Sequence, residues 1–182
     1  MSMEQDLSKF IAKALNKTIQ KLANEQNKAI KQEVDLPLKK IKAMGRVQKA
    51  RANNLQASIK TLHINLSLNN FKKSLKTQNK KIIGVNVKLN KNKKLFLPGH
   101  FVAKSRARGG DFIAIRENSK QMKNPALNYK ASSKSYPDFK GRQNKLLYPS
   151  IKESFDTIAK AQSKELSKKA KLLFEISLKE IK

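Results

Sequence analysis

The middle of this chain carries the pattern that most limits how the chain can fold. Between residues 83 and 89, aliphatic side chains alternate with glycine or polar ones. This period of two places one apolar face and one polar face on an extended strand. Residues 90–92 then interrupt the pattern as a hairpin turn does, and further extended runs follow at residues 94–104 and 112–116. Together these runs predict an antiparallel meander, whose apolar face other elements must cover.

Two helical patterns flank the predicted meander. In residues 7–31, apolar residues recur at steps of three and four with lysines between them, which predicts an amphipathic helix. Near the other end, Ser150 and Glu153 have the spacing of a capping box, and Pro149 precedes them. A long C-terminal helix is therefore predicted to begin at Ser150 and to continue to the end of the sequence.

The sequence predicts a single α+β domain, in which an antiparallel sheet of about four strands is packed against long N- and C-terminal helices. Residues 55–68 read as one strand, and a change in its alternation at Lys60 and Thr61 predicts a β-bulge. Residues 117–148 show no period and are predicted to form a long loop that orders only against a partner. The predicted segments are the N-terminal helix (1–33), a short helix and connector (34–54), the sheet (55–116), the long loop (117–149) and the C-terminal helix (150–182).

Positive charge dominates the composition. The chain has 41 lysines and arginines against 13 aspartates and glutamates, a formal net charge of +28. Such a chain attracts polyanions, whether nucleic acid, an acidic protein surface or an anionic membrane. Lysines far outnumber arginines, however, and the guanidinium group is the better reader of phosphates and bases. A lysine-rich solvated surface is therefore favoured over a dedicated nucleic-acid site, although a basic edge is a candidate at lysines 72, 73, 80, 81, 91, 93 and 94.

The supply of catalytic side chains is small. The chain has no cysteine, which excludes disulfides, thiolate catalysis and zinc–thiolate sites. His63 and His100 are its two histidines; they fall in different predicted strands and have no acidic neighbour in sequence. We expect a solvated His63 and a turn residue at His100, and we predict no catalytic residue, no metal site and no cofactor. No apolar run is long enough to cross a bilayer, so no membrane partner is expected.

A series of short motifs occurs in order along nearly the whole chain. They are Ala-Leu-Asn-Lys-Thr at residues 14–18, Lys-Ala-Arg-Ala at 49–52, Leu-Gln-Ala-Ser-Ile at 55–59, Leu-Ser-Leu at 66–68, Val-Asn-Val at 85–87, Phe-Val-Ala at 101–103, Ile-Arg at 115–116, Gly-Arg at 141–142 and Leu-Tyr-Pro-Ser-Ile at 147–151. In this order they resemble the minor tail protein Z family, the tail completion proteins of tailed phages and prophages. The most specific motif is the last one, which precedes a helix in that family.

This resemblance implies a structural role without enzymatic activity or cofactor. Members of the family complete the tail at its head-proximal end and help it join the filled capsid. The expected partners are further copies of the chain in a ring, six-fold by analogy with the tail tube, and other tail and neck proteins. A non-specific contact with phage DNA is also expected. The protein would be found in the host cytoplasm during assembly and then in the virion tail.

Two alternatives to tail completion remain open from the sequence. One is a small basic protein that binds nucleic acid through the backbone only, with strong salt dependence. The other is a different ring-forming phage neck protein, such as a tail terminator, because a fold does not fix a partner. The predicted interface residues are Tyr136 and Phe139 in the long loop and Arg142, Tyr148 and Pro149 at the start of the last helix. For Tyr148, simple packing beneath that helix is the competing interpretation.

Overall fold

The chain has an α+β fold with antiparallel sheets and long N- and C-terminal helices, which confirms the predicted fold class. The structure is a computed structural model that describes residues 3–104, 110–131, 136–137, 143–144 and 146–181. It contains two compact units, and the single domain stays a prediction. The helical unit comprises Met1–Ile64 and Phe155–Lys182, and the sheet unit comprises Asn65–Ser154.

The helical unit is built on two long helices that pack against each other. Helix α1 spans Met3–Glu33 and helix α3 spans Phe155–Lys179. Neither contains glycine or proline, and each has an apolar side that can be buried. The N-terminal helix predicted from the periodicity is therefore confirmed. The buried apolar residues of this unit include Ile19, Leu22, Ile30, Ile41 and Phe155.

A short helix and a hairpin complete the helical unit. Helix α2 spans Leu38–Ala43. Strand β1, Gly45–Gln48, pairs antiparallel with strand β2, Ser58–Thr61. Asn16 of α1 holds the segment between these strands, since its side chain both accepts from the Ala50 N–H at 2.7 Å and donates to the Ala50 carbonyl at 3.0 Å. The predicted basic connector thus begins as a strand.

The prediction of a single strand over residues 55–68 is wrong. Its first half is β2 in the helical unit, and its second half is a separate strand β3, Asn65–Ser67, in the sheet unit. The two halves pair with different strands, β2 with β1 and β3 with β12. The change in alternation therefore marks the passage of the chain from one unit to the other, and no bulge is needed to explain it.

The start predicted for the C-terminal helix is also wrong. Residues 146–154 form a strand, β12, with the bounds Leu146–Ser154, and the helix begins at Phe155. Ser150 and Glu153 are therefore strand residues and do not form a capping box. Strand pairing prevails because β12 has partners on both of its sides and buries Leu146, Leu147 and Pro149 among them.

Strand β12 is the centre of a five-stranded antiparallel sheet. On one side it pairs with β9, Leu127–Ala131, and on the other side with β8, Asp111–Arg116, and then with β3. Strand β7, Phe101–Lys104, continues the sheet beyond β8. The pairing with β8 stops at Leu147 and the pairing with β3 starts at Ser150. Pro149, which lacks a backbone N–H, lies in this interval, where it removes no ladder hydrogen bond on that side.

A second, three-stranded sheet consists of β4, β5 and β6. Their bounds are Lys72–Gln78, Lys81–Lys88 and Lys94–Pro98, and β5 lies in the middle. The predicted turn after β5 is confirmed, because the Asn90 side-chain oxygen accepts hydrogen bonds from the backbone N–H groups of Asn92 and Lys93. Gly99, at φ 70°, ends β6. The predicted meander is thus divided, with β5 and β6 in this sheet and β7 and β8 in the larger one.

The long loop predicted over residues 117–149 is wrong in part. It contains a 3-10 turn at Lys120–Lys123, strand β9 and the first residues of β12. A short pair of strands, β10 at Tyr136–Pro137 and β11 at Gln143–Asn144, also lies within it. Because β9 pairs with β12 of the same chain, the order of residues 127–131 does not require a partner.

Candidate functional site

Of the predicted interface residues, Tyr148 and Pro149 have described side chains, and both pack within the sheet unit. The Tyr148 ring meets the Phe112 ring edge to face at 5.3 Å between centroids, beside buried Ala114 and Leu146. Pro149 is fully buried and lies opposite Tyr129 of β9. Packing inside the unit therefore accounts for both side chains. A contact of either with a partner stays a prediction.

The other three predicted interface residues lie in a region that the structure describes only in part. The backbone of Tyr136 forms strand β10, paired with Asn144, and Phe139 and Arg142 lie outside the described residues. The structure therefore does not bring the five residues together into one described surface. Their role as an interface remains a prediction.

The two histidines have different environments. The His63 side chain is 79% exposed, as the sequence predicts for a solvated residue, and its Nδ1 lies 3.9 Å from an Asp156 oxygen. Asp156 also accepts hydrogen bonds from Lys160 and from Thr61, at 2.8 Å each. These two hydrogen bonds, with the Lys160 charge, hold the pKa of Asp156 below its ordinary value. The cluster connects the first turn of α3 to β2 and has a structural role.

His100 is a buried residue, which the sequence did not predict. The residue is 2% exposed; Nδ1 lies 2.9 Å from the Pro98 carbonyl oxygen and Nε2 lies 3.3 Å from the Tyr129 hydroxyl. With the proton on Nδ1, the ring donates to Pro98 and accepts from Tyr129. Burial lowers the pKa of His100, and the Pro98 hydrogen bond opposes this in part. Burial also raises the pKa of the Tyr129 hydroxyl.

An open cavity of about 410 Å³ lies beside His100. Arg116 is the cationic side chain in its lining, and no carboxylate lines it. Within the described ranges, no group of three or more histidine, cysteine or acidic residues is arranged to hold a metal ion. The cavity could admit a small molecule; of its polar lining, the Ser119 hydroxyl donates to the Gln121 side-chain oxygen, and the His100 ring nitrogens contact Pro98 and Tyr129. Its lining residues are Ile82, Gly99, His100, Phe101, Arg116, Asn118 and Ser119.

The three-stranded sheet presents a more specific arrangement, a row of three lysines across its strands. Lys88 of β5 lies opposite Lys72 of β4 on one side and opposite Lys94 of β6 on the other. Paired residues in an antiparallel sheet project from the same face, with Cα atoms about 4.5–5.5 Å apart. We call Lys72, Lys88 and Lys94 the lysine row.

The next two rows of the same face hold an aromatic ring and a fourth lysine. Asn86 lies opposite Ser74 and Phe96. Phe96 is 37% exposed, and the Lys76 ammonium lies 4.7 Å from the centre of its ring. The opposite face of the sheet is the core side, where Val85, Val87 and Leu97 are completely buried. We call the outward face, with its lysine row, Ser74, Asn86, Phe96 and Lys76, the basic face.

No acidic side chain in the neighbouring sequence neutralises the basic face. Asp35 and Asp111 are consecutive acidic residues of the chain, so the whole stretch of residues 36–110 contains none. Among the described residues, the side chains of the lysine row have no hydrogen-bond or ion-pair partner. Three like charges directly opposite one another repel, and this repulsion is relieved when an anion binds.

No family model, curated protein or solved structure matches the chain. None of the helices in the described ranges is both long and apolar enough to span a lipid bilayer.

The predicted basic edge included Lys72 and Lys94, but the sequence did not predict β4 and therefore did not place Lys88 between these two lysines. Residues 72–78 are polar and show no apolar alternation, yet they form an exposed edge strand. Charged residues, and lysine in particular, are common on such edges because they oppose pairing with other chains. The absence of acidic residues between Asp35 and Asp111 was visible in the sequence and would have pointed to this region.

Proposed function

We propose that the protein is a non-enzymatic structural component of a phage or prophage tail, which completes the tail at its head-proximal end by assembling as a ring. The resemblance to the minor tail protein Z family supplies the setting of this proposal. The α+β fold with two long terminal helices is compatible with it. The observation that supports assembly into a ring is an exposed apolar stripe on the helical unit.

The exposed stripe lies at the N-terminal end of α1. Met3, Leu7 and Phe10 are 89%, 59% and 36% exposed, and their spacing of four and three places them on one side of the helix. Ala14 and Thr18 continue the same spacing and are buried. The stripe is therefore the extension of the buried side of α1 beyond the part that its own unit covers.

Helix α3 adds a second exposed apolar pair. Leu172 and Ile176 are 59% and 38% exposed and lie one turn apart. Contiguous apolar side chains of this size on a soluble surface mark interaction sites more often than chance exposure. When such a surface on one copy meets a different surface on the next copy, the interface is heterologous and closes into a ring if the rotation allows.

The charge of the chain is compatible with this setting. At +28, copies brought together in a ring repel one another unless an anionic neighbour compensates. A tail neck offers such neighbours in the DNA that passes through it and in acidic surfaces of adjacent rings. The proposal therefore predicts that the ring forms more readily with its tail partners, or at raised salt, than alone at low salt.

The test replaces one residue of the stripe and measures assembly. Leu7→Glu places a charge in the proposed interface, whereas Gln5→Glu makes the same change of charge on the opposite side of α1, where Gln5 is exposed. Mass photometry at 150 mM and 500 mM salt should show the oligomer for the wild type and for Gln5→Glu, and monomer for Leu7→Glu. A wild-type chain that stays monomeric with purified tail tubes present would overturn the proposal.

A further inference from the structure

We propose that the basic face of the three-stranded sheet binds single-stranded nucleic acid, with the lysine row on successive phosphates and Phe96 against one base. This inference goes beyond the tail role proposed above and does not rest on it. It is also more definite than a diffuse positive surface, because it assigns the contact to one face of one sheet.

The lysine row fixes where the phosphates bind. Lys72, Lys88 and Lys94 lie directly opposite one another, so three ammonium groups share a strip about two strand spacings wide, or roughly 10 Å. Some lysines of the chain have carboxylate partners, as Lys160 does with Asp156 at 2.8 Å and Lys21 with Glu180 at 2.8 Å. In the lysine row, a bound anion would take the place of that partner.

Phe96 indicates which class of polyanion binds to the basic face, namely nucleic acid. Its ring lies on the backbone of Gly84, in the middle of the basic face, with the polar side chains of Ser74 and Asn86 in the same row. An exposed aromatic ring between basic groups is the arrangement with which proteins bind unpaired bases, by stacking. An acidic protein surface or an anionic lipid would use the lysines but would gain little from the ring.

The ring also favours a single strand over a duplex. A base can stack on Phe96 only if it is free of its neighbours in the helix, which is the state of bases in a single strand. Lys76, whose ammonium lies 4.7 Å from the ring centre, is exposed and flexible enough to move from the ring to a phosphate. Base and phosphate contacts would then alternate across the face.

The first test measures the phosphate contacts. Fluorescence anisotropy of a fluorescein-labelled dT20 oligonucleotide, from 50 to 300 mM salt, gives the dissociation constant and its salt dependence. Each phosphate neutralised on a single strand contributes about 0.7 to the slope of log K against log salt, so Lys72→Gln/Lys88→Gln/Lys94→Gln should reduce the slope by about 2. The control Lys164→Gln/Lys168→Gln/Lys171→Gln removes the same charge from exposed positions of α3. Equal losses in both variants, or no binding by the wild type, would overturn the proposal.

The second test measures the stacking. Phe96→Leu keeps an apolar cover over Gly84 but removes the aromatic face, and we expect it to weaken dT20 binding about ten-fold with an unchanged salt slope. Circular dichroism verifies that the variant is folded. Unchanged affinity would refute the stacking contact. Equal affinity for a 20-base-pair duplex, or displacement of dT20 by poly-L-glutamate at the same charge concentration, would refute the choice of single-stranded nucleic acid.

Discussion

The ring of Phe96 lies so close to the backbone of Gly84 that position 84 has no room for a β-carbon. A β-carbon built there would lie 2.7 Å from a carbon of the ring and would collide with the carbonyl oxygen of Leu97. Glycine at this position is therefore required by close approach, since its φ is not in the left-handed region.

Gly84→Ala should destabilise the sheet unit. The collision involves the backbone oxygen of Leu97 as well as the ring, so a rotation of Phe96 alone cannot relieve it. We expect a loss of about 1–3 kcal/mol in the free energy of unfolding, as for an overpacked core site. Chemical denaturation in urea measures it. Gly110→Ala is the control, because nothing lies within 4 Å of a β-carbon at position 110. If both variants unfold at the same urea concentration as the wild type, this result contradicts the close approach of Phe96 and Leu97 to Gly84.

Asn16→Ala should destabilise the helical unit. The Asn16 side chain satisfies both backbone groups of Ala50, a residue only 5% exposed. Without it the Ala50 N–H and carbonyl are left unpaired in a buried position, at a cost of about 1–3 kcal/mol. Asn24→Ala, at an exposed position of the same helix, gains the same helix propensity without losing such hydrogen bonds. Thermal unfolding measures the Tm of both variants. A decrease in Tm for Asn24→Ala as large as that for Asn16→Ala would contradict this assignment.

His100 should make the stability of the protein depend on pH below neutrality. Its pKa in the folded protein is below the ordinary value of 6.5, so the unfolded chain binds the proton more readily. The free energy of unfolding is therefore highest above pH 6.5 and falls as the pH drops below it towards the folded pKa. His100→Gln removes the titrating group, and its unfolding free energy should change less between pH 7 and pH 5. Equal slopes for the two proteins in urea titrations at these pH values would show that His100 is solvated.

Asp156 should contribute in the acid range. Hydrogen bonds from Lys160 and Thr61 hold its pKa below the ordinary value of 3.8, so its contribution is present above pH 3.8 and is lost as the pH falls through the folded pKa. Asp156→Asn should lower the Tm at pH 6, and the difference from the wild type should shrink in calorimetry at pH 3 and below. Glu165→Gln is the control, since its carboxylate is 76% exposed and pairs with Lys169 on the same helix. A difference in Tm that is independent of pH would indicate that the shape of the Asp156 side chain, and not its charge, stabilises the protein.

Local periodicity predicted those elements whose apolar residues suffice to define them. The alternation of residues 83–89 predicts β5, and the three–four spacing of residues 7–31 predicts α1. These two patterns remain valid because a buried face must repeat with the period of its own element. The fold class followed from them.

Elements that depend on distant partners could not be predicted in this way. Ser150 and Glu153 have the local spacing of a capping box, yet β12 forms because β3, β8 and β9 pair with it from elsewhere in the chain. Strand β4 is polar because it is an exposed edge, so it carries no apolar alternation. The lysine row depends on the register between β4, β5 and β6. The sequence of any one of the three segments does not determine that register.

Electron microscopy of the protein with purified tail tubes tests the central claim most directly, which is that this chain is a ring-forming component of the tail end. The tubes are assembled in the absence of this protein. The account predicts a single ring of identical subunits, six in number, at one end of each tube, and no ring when Leu7→Glu replaces the wild type. Tubes with both ends bare at saturating wild-type protein, or protein scattered along their length, would contradict it.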